Sequence, residues 1–159
     1  MNSAQLHLAL THLPLVGILL GIMVLLTGMI LKKNTLKITA YAMFAFSALA
    51  CAAAYFTGEG AKIVVDNTSQ VSETLIHRHE EYAEVFLVAT LLLGLLSLLA
   101  CPVTVKFPQY AKIILVCILL LAIINGILAA YVGSSGHAIR HSEIRTHTKV
   151  IPLEMDNYQ

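Results

Sequence analysis

The chain has 159 residues, of which 58% are hydrophobic and 12% charged, with a formal net charge of +1 and a mean hydropathy of +0.80. A soluble domain carries about a quarter charged residues and at most half apolar ones, so this composition argues against a water-soluble enzyme and against a disordered chain. Ten basic and nine acidic residues give no polyanion-binding signature, and nucleic acid is not an expected partner. Three cysteines, none in a C-x-x-C pair, argue against a disulfide framework, a zinc ribbon and covalent c-type haem. An integral membrane protein remains.

The first apolar run is Leu13 to Leu31. Thr11 is a candidate N-cap for it, which puts His12 at the first helical position and Pro14 in the first turn, where proline is tolerated. Gly17, Gly21 and Gly28 form a small-residue face about half a turn from His12, suited to packing with a neighbouring helix. Lys32 and Lys33 follow this run and no Lys or Arg precedes it, the reverse of a cleaved signal, so it reads as a retained helix. The second run is Ile38 to Phe56, and the polar stretch 57–81 after it reads as a long loop. The third and fourth runs are Tyr82 to Cys101 and Ile113 to Val132. Each is close to the ~20 residues that cross ~30 Å of hydrocarbon, where only a helix satisfies its own backbone. Short connections at 32–37 and 102–112 force antiparallel neighbours. The expected fold is all-α, an integral membrane four-helix up-down-up-down bundle over residues 1–145, with a polar C-terminal tail at 146–159.

Charge gives an orientation. Lys32, Lys33, Lys37, Lys106 and Lys112 occupy the two short connections without any acid, while all nine carboxylates lie at the opposite end of the spans. Short basic loops favour the cytoplasmic side, which puts both termini outside the cytoplasm.

All seven histidines lie at that same outer end. His7 and His12 precede the first span, His77 and His79 the third, and His137, His141 and His147 follow the fourth. At 100° per residue, His79, Ala83, Phe86, Thr90, Gly94, Ser97 and Cys101 share one stripe, which aims His79 into the bundle and His77 away from it. Gly126, Ala130, Ser134, His137 and His141 form a comparable stripe, provided the fourth helix runs on through Gly133–Gly136. Imidazoles from facing helices suit bis-histidine haem, and neutral imidazole also binds copper and zinc. His137 and His141, four residues apart, share a face and are placed to grip one metal ion. The bland alternative is a polar residue at headgroup depth, and that is how His7, His77 and His147 read. Cys51, Cys101 and Cys117 read as packing residues, and Asn125 as a helix–helix hydrogen bond within the membrane. No span carries a mid-depth Asp, Glu, Lys or Arg, which argues against a transporter.

Four blocks in order carry a family resemblance: Thr11-His12-Leu13-Pro14-Leu15, Thr57-Gly58-Glu59-Gly60-Ala61-Lys62, Ile76-His77-Arg78-His79-Glu80-Glu81, and Gly133-Ser134-Ser135-Gly136-His137-Ala138-Ile139-Arg140-His141 with the Ser142-Glu143-Ile144 that follows. The set resembles the domain of unknown function 2231 group of bacterial four-helix membrane proteins, which look like b-type cytochromes. The resemblance extends to about Arg145 and departs from the family's usual paired glycines at Ser134-Ser135-Gly136. It implies one or two non-covalent b haems, with His12, His79, His137 and His141 as candidate axial ligands to the iron. The expected function is a membrane-anchored electron-transfer subunit rather than a stand-alone enzyme, with the lipid bilayer, redox proteins and quinone as candidate partners. Competing readings are an outward-facing copper or zinc site on the same histidines, and a purely structural subunit of a larger membrane complex.

Overall fold

The structure, a computed structural model, describes residues 2–68 and 72–140. These residues form four helices and no strand: α1 (Ser3–Ile30), α2 (Asn34–Thr68), α3 (Glu73–Lys106) and α4 (Pro108–Arg140). Each helix packs on the next in the chain, and α4 closes on α1 along the loosest seam, which is the up-down-up-down arrangement. All four are long and apolar enough to cross a membrane. The outer surface is apolar too: Leu19, Leu49, Phe56, Leu98 and Ile113 are all more than half exposed, an arrangement that suits lipid rather than water.

The helices are 28 to 35 residues long, about 42–52 Å at 1.5 Å per residue, against ~30 Å of hydrocarbon. Both connections at the lysine end are tight. Leu31 caps α1, Lys33 N–H reaches the Gly28 carbonyl at 3.0 Å, and Lys32 N–H reaches Met29 at 3.3 Å. This double bond pattern needs a left-handed residue, and Lys32 takes it with φ 53°. The 102–112 connection contracts to Phe107: Pro102 sits inside α3, and Pro108 opens α4, where its missing N–H is harmless and its fixed φ favours the first turn. The excess helix, about two to four turns, therefore stands at the histidine end.

Two expectations about that end are corrected. The stretch 57–81 is not a long loop, because α2 runs to Thr68 and α3 begins at Glu73. Within it, Lys62 of α2 pairs with Glu80 of α3 at 2.9 Å, and Glu73 complements the positive end of α3. Nor does α1 start at Thr11. It starts one residue after Asn2, whose Oδ1 accepts from Gln5 N–H at 2.9 Å while Gln5 Oε1 accepts from Asn2 N–H at 3.2 Å, a reciprocal cap that satisfies two orphan donors. Thr11 lies within the helix and donates to the Leu8 carbonyl at 2.9 Å, and Pro14 is buried inside α1. α4 does run unbroken through Gly133–Gly136. The tail at 146–159 lies outside the described residues.

The core is layered. Towards the lysine end, Leu25, Tyr41, Phe44, Leu93 and Ile118 pack together; towards the histidine end, Ile18, Cys51, Phe86, Ala129 and Val132 do. Asn125 joins α3 to α4 between them. Its Oδ1 lies 2.8 Å from the Thr90 hydroxyl, and its Nδ2 donates to Leu121 O at 2.9 Å and Ala89 O at 3.3 Å. The glycine face of α1 packs on α2, with Gly17 against Ser47 and Gly21 against the Phe44 ring.

Candidate functional site

His79 occupies a core position of α3. Phe86, Leu93 and Ala100 follow at seven-residue steps and are all buried, so the ring points into the bundle just above the apolar layers. Its Nδ1 lies 2.9 Å from Ser135 Oγ on α4. Ser135 donates its own proton to the Val132 carbonyl at 2.9 Å, so its oxygen can only accept, and the imidazole proton sits on Nδ1. Nε2 has no bonding partner among the described residues. The ring lies against Gly136, where a Cβ would come 3.1 Å from Cε1, so that a side chain there would push the ring aside by a few tenths of an ångström. Burial and the neighbouring His7 hold the His79 pKa below the usual histidine value, against the opposing pull of the Val132 carbonyl and Glu80.

The histidine end holds a second ring in the same setting, and sequence reasoning missed it. His7 lies one heptad before Pro14, with Gly21 and Gly28 continuing the buried row. Its Nδ1 is 2.9 Å from the Ala54 carbonyl and 3.1 Å from Thr57 Oγ1 on α2, and Thr57 donates to that same Ala54 carbonyl at 2.7 Å. The tautomer is fixed as in His79, with Nε2 bare. Gly58, next after Thr57, lies beside the ring, its Cβ position 3.6 Å from Cε1. The usable signal was the pair Thr57-Gly58 and Ser135-Gly136, a hydroxyl followed by glycine near the end of each second helix of a hairpin.

The other candidates lie elsewhere. His12 is exposed, and its Nδ1 is 2.6 Å from the Leu8 carbonyl of its own helix. Leu15 lies against Gly133 and Ile22 against Gly126, so one turn further His12 stands beside Gly136 and His137. His137 is exposed as well. An apolar groove of about 310 Å³ lies between α1 and α4, lined on α4 by Gly126, Ala129, Ala130, Gly133 and Ser134. The small-residue stripe of α4 therefore faces this loose seam, while Asn125, Ala129 and Val132 face the core. His77 is exposed, 3.4 Å from Glu81. His141 and His147 lie outside the described residues.

Among the described residues, no three His, Cys, Asp or Glu side chains converge as a metal-ion site. The arrangement provides two half-buried imidazoles from different hairpins, each held through Nδ1 and each presenting Nε2. No family model, curated protein or solved structure matches the chain.

Proposed function

We propose that the chain is a multi-pass protein of the bacterial inner membrane, both termini outward, that binds haem non-covalently as a b-type cytochrome-like electron-transfer subunit. The observation that carries this reading is the state of His79: a half-buried imidazole at the end of the bundle, with Nδ1–H held by Ser135 and no partner on Nε2 among the described residues. Metal-ligating histidines characteristically donate their other N–H to such a partner, which sets the ring's aim and raises its basicity. The glycine beside the ring keeps a side chain from filling that space. The residues present thus suit the group. The haem, when bound, supplies reversible one-electron chemistry. Ser135 and the Val132 carbonyl orient the ligand ring, and the Phe86, Ala129 and Val132 layer below it keeps water from that side. The sequence also offered His12, His137 and His141 as ligands; His12 and His137 are exposed, which favours His79.

Copper or zinc at the same histidines is the less favoured reading, since structural zinc takes four protein donors and catalytic zinc three. The two acid-free lysine connections support an inward-facing lysine end, and the apolar outer surface supports contact with lipid.

A reduced-minus-oxidised absorption spectrum of the detergent-purified full chain from haem-replete cells tests the proposal. A b-type difference spectrum with about one or two haems per chain is expected. A colourless preparation carrying stoichiometric copper or zinc would overturn it.

A further inference from the structure

We infer that His7 and His79 form a matched pair of axial donors for one iron, one donor from each half of an internal structural repeat. The inference rests on the haem reading above and names the second ligand, which the sequence did not assign.

The repeat is visible in the bonds. In the first hairpin, His7 on α1 reaches across to Ala54 O and Thr57 Oγ1 on α2. In the second, His79 on α3 reaches Ser135 Oγ on α4, with the Val132 carbonyl also bearing on the ring. Carbonyl and hydroxyl are three residues apart in both cases, the hydroxyl donates to that carbonyl in both, and a glycine follows the hydroxyl in both. The identical hydrogen-bond logic leaves Nε2 as the bare atom on each ring.

The two rings also share one space. Each continues the buried heptad row of its helix, so both point inward, from α1 and α3, which occupy opposite corners of the bundle. On α2, Lys62 lies five residues beyond Thr57 and is paired with Glu80, the residue next to His79. That places the rings within about two turns of each other along the bundle. Proximity shows as well in the electrostatic influence of His7 on His79. Each Nε2 is without a bonding partner among the described residues and is open to an electron-pair acceptor. With no third donor converging among the described residues, an iron that already has four ligands from a tetrapyrrole fits better than a bare ion. His12 and His137, both exposed, then lie outside the axial pair, and the bundle holds one haem.

The test is titration of the haem-free full chain in detergent with haemin, followed by absorbance and electron paramagnetic resonance. The wild type is expected to bind one haemin per chain in a low-spin, bis-histidine state. His7→Ala and His79→Ala are each expected to lose the low-spin signal and bind about tenfold or more weakly, while His12→Ala and His137→Ala match the wild type. A His7→Ala protein with wild-type affinity and spin state overturns the pair and leaves the haem reading standing. A wild type that takes up no haemin overturns both. Should His7→Ala fail to fold, ¹⁵N spectra of the haem-free wild type decide: Nδ1 protonation is expected for both rings, and an Nε2–H tautomer at either overturns the pair.

Discussion

Ser135 Oγ accepts the Nδ1–H of His79 at 2.9 Å because the serine proton is committed to the Val132 carbonyl, also at 2.9 Å. One hydroxyl thus fixes both the tautomer and the aim of a core imidazole. Thr57 does the same for His7 from the other hairpin, 2.7 Å from its own acceptor and 3.1 Å from the ring. In each case the anchoring residue sits on the helix that follows in the chain, so ring orientation depends on hairpin packing.

Replacing Ser135 by Ala removes the acceptor and leaves only the Val132 carbonyl to hold the ring. Haem affinity is expected to fall about 10- to 100-fold, the usual effect of losing the partner of a ligating histidine, with helical circular dichroism unaltered. Ser135→Thr restores the oxygen and is expected to recover most of the affinity. Haemin titration of the three proteins measures this, and equal affinities would show that the hydroxyl has no part in ligand positioning.

His79 makes the fold acid-sensitive. Its folded pKa lies below the ordinary value of 6.5, so as pH falls through that range the unfolded chain binds protons that the folded chain refuses. Stability is present above about pH 6.5 and is lost as pH falls towards the folded pKa. The groups facing the ring are His7 from α1 and Glu80 on its own helix, with Lys62 of α2 paired to Glu80 and Ser135 and Val132 on α4. Unfolding in detergent should need less denaturant at about pH 5 than at about pH 7, and His79→Asn should reduce the difference. An undiminished difference in the variant would assign the acid sensitivity to another group.

The spans were legible because hydropathy alone marks about 20 apolar residues as a crossing helix. Their ends were not. Thr57, Lys62 and Glu80 read locally as loop residues, and they are helical because each has a partner on a neighbouring helix. His79 was legible because its neighbours at seven-residue steps are apolar, so periodicity alone aims it inward. His7 has only small residues and a proline on its row, Pro14, Gly21 and Gly28, and its anchors lie 47 and 50 residues away. No local pattern announces such a contact. The small-residue stripe of α4 was read correctly as a stripe, but small side chains lining a loose seam and small side chains at a close approach look the same in one sequence.

Asn125 is expected to act as a structural clamp. It bonds α3 through Thr90 and Ala89 and α4 through Leu121, which accounts for its acceptor and both amide hydrogens. Asn125→Ala is expected to destabilise the bundle by about 1–2 kcal/mol, with a Thr90–Asn125 coupling near 0.6 kcal/mol, the range found for hydrogen bonds between membrane helices. A double-mutant cycle in detergent unfolding with Thr90→Val measures both. Zero coupling would remove the pair from the stability account, and loss of haem binding at unchanged stability would make Asn125 a site residue.

The glycines separate into those that set helix spacing and those that line open space. At Gly21 a Cβ would lie 2.5 Å from the Phe44 ring, and Phe44 is fully buried with no room to withdraw. At Gly94 it would lie 2.5 Å from Ala48 Cβ, a side chain that cannot swing aside at all. At Gly126 the nearest atom is Ile22 Cδ1 at 3.7 Å, an ordinary contact bordering the α1–α4 groove. Gly21→Ala and Gly94→Ala are therefore expected to lose about 1–3 kcal/mol through overpacking. Gly126→Ala is expected to be neutral or slightly stabilising, since alanine is the better helix former by about 1 kcal/mol. Denaturant midpoints of the three variants in one detergent give the ranking. A Gly126→Ala protein as damaged as Gly94→Ala would mean that the seam is closed in the folded protein.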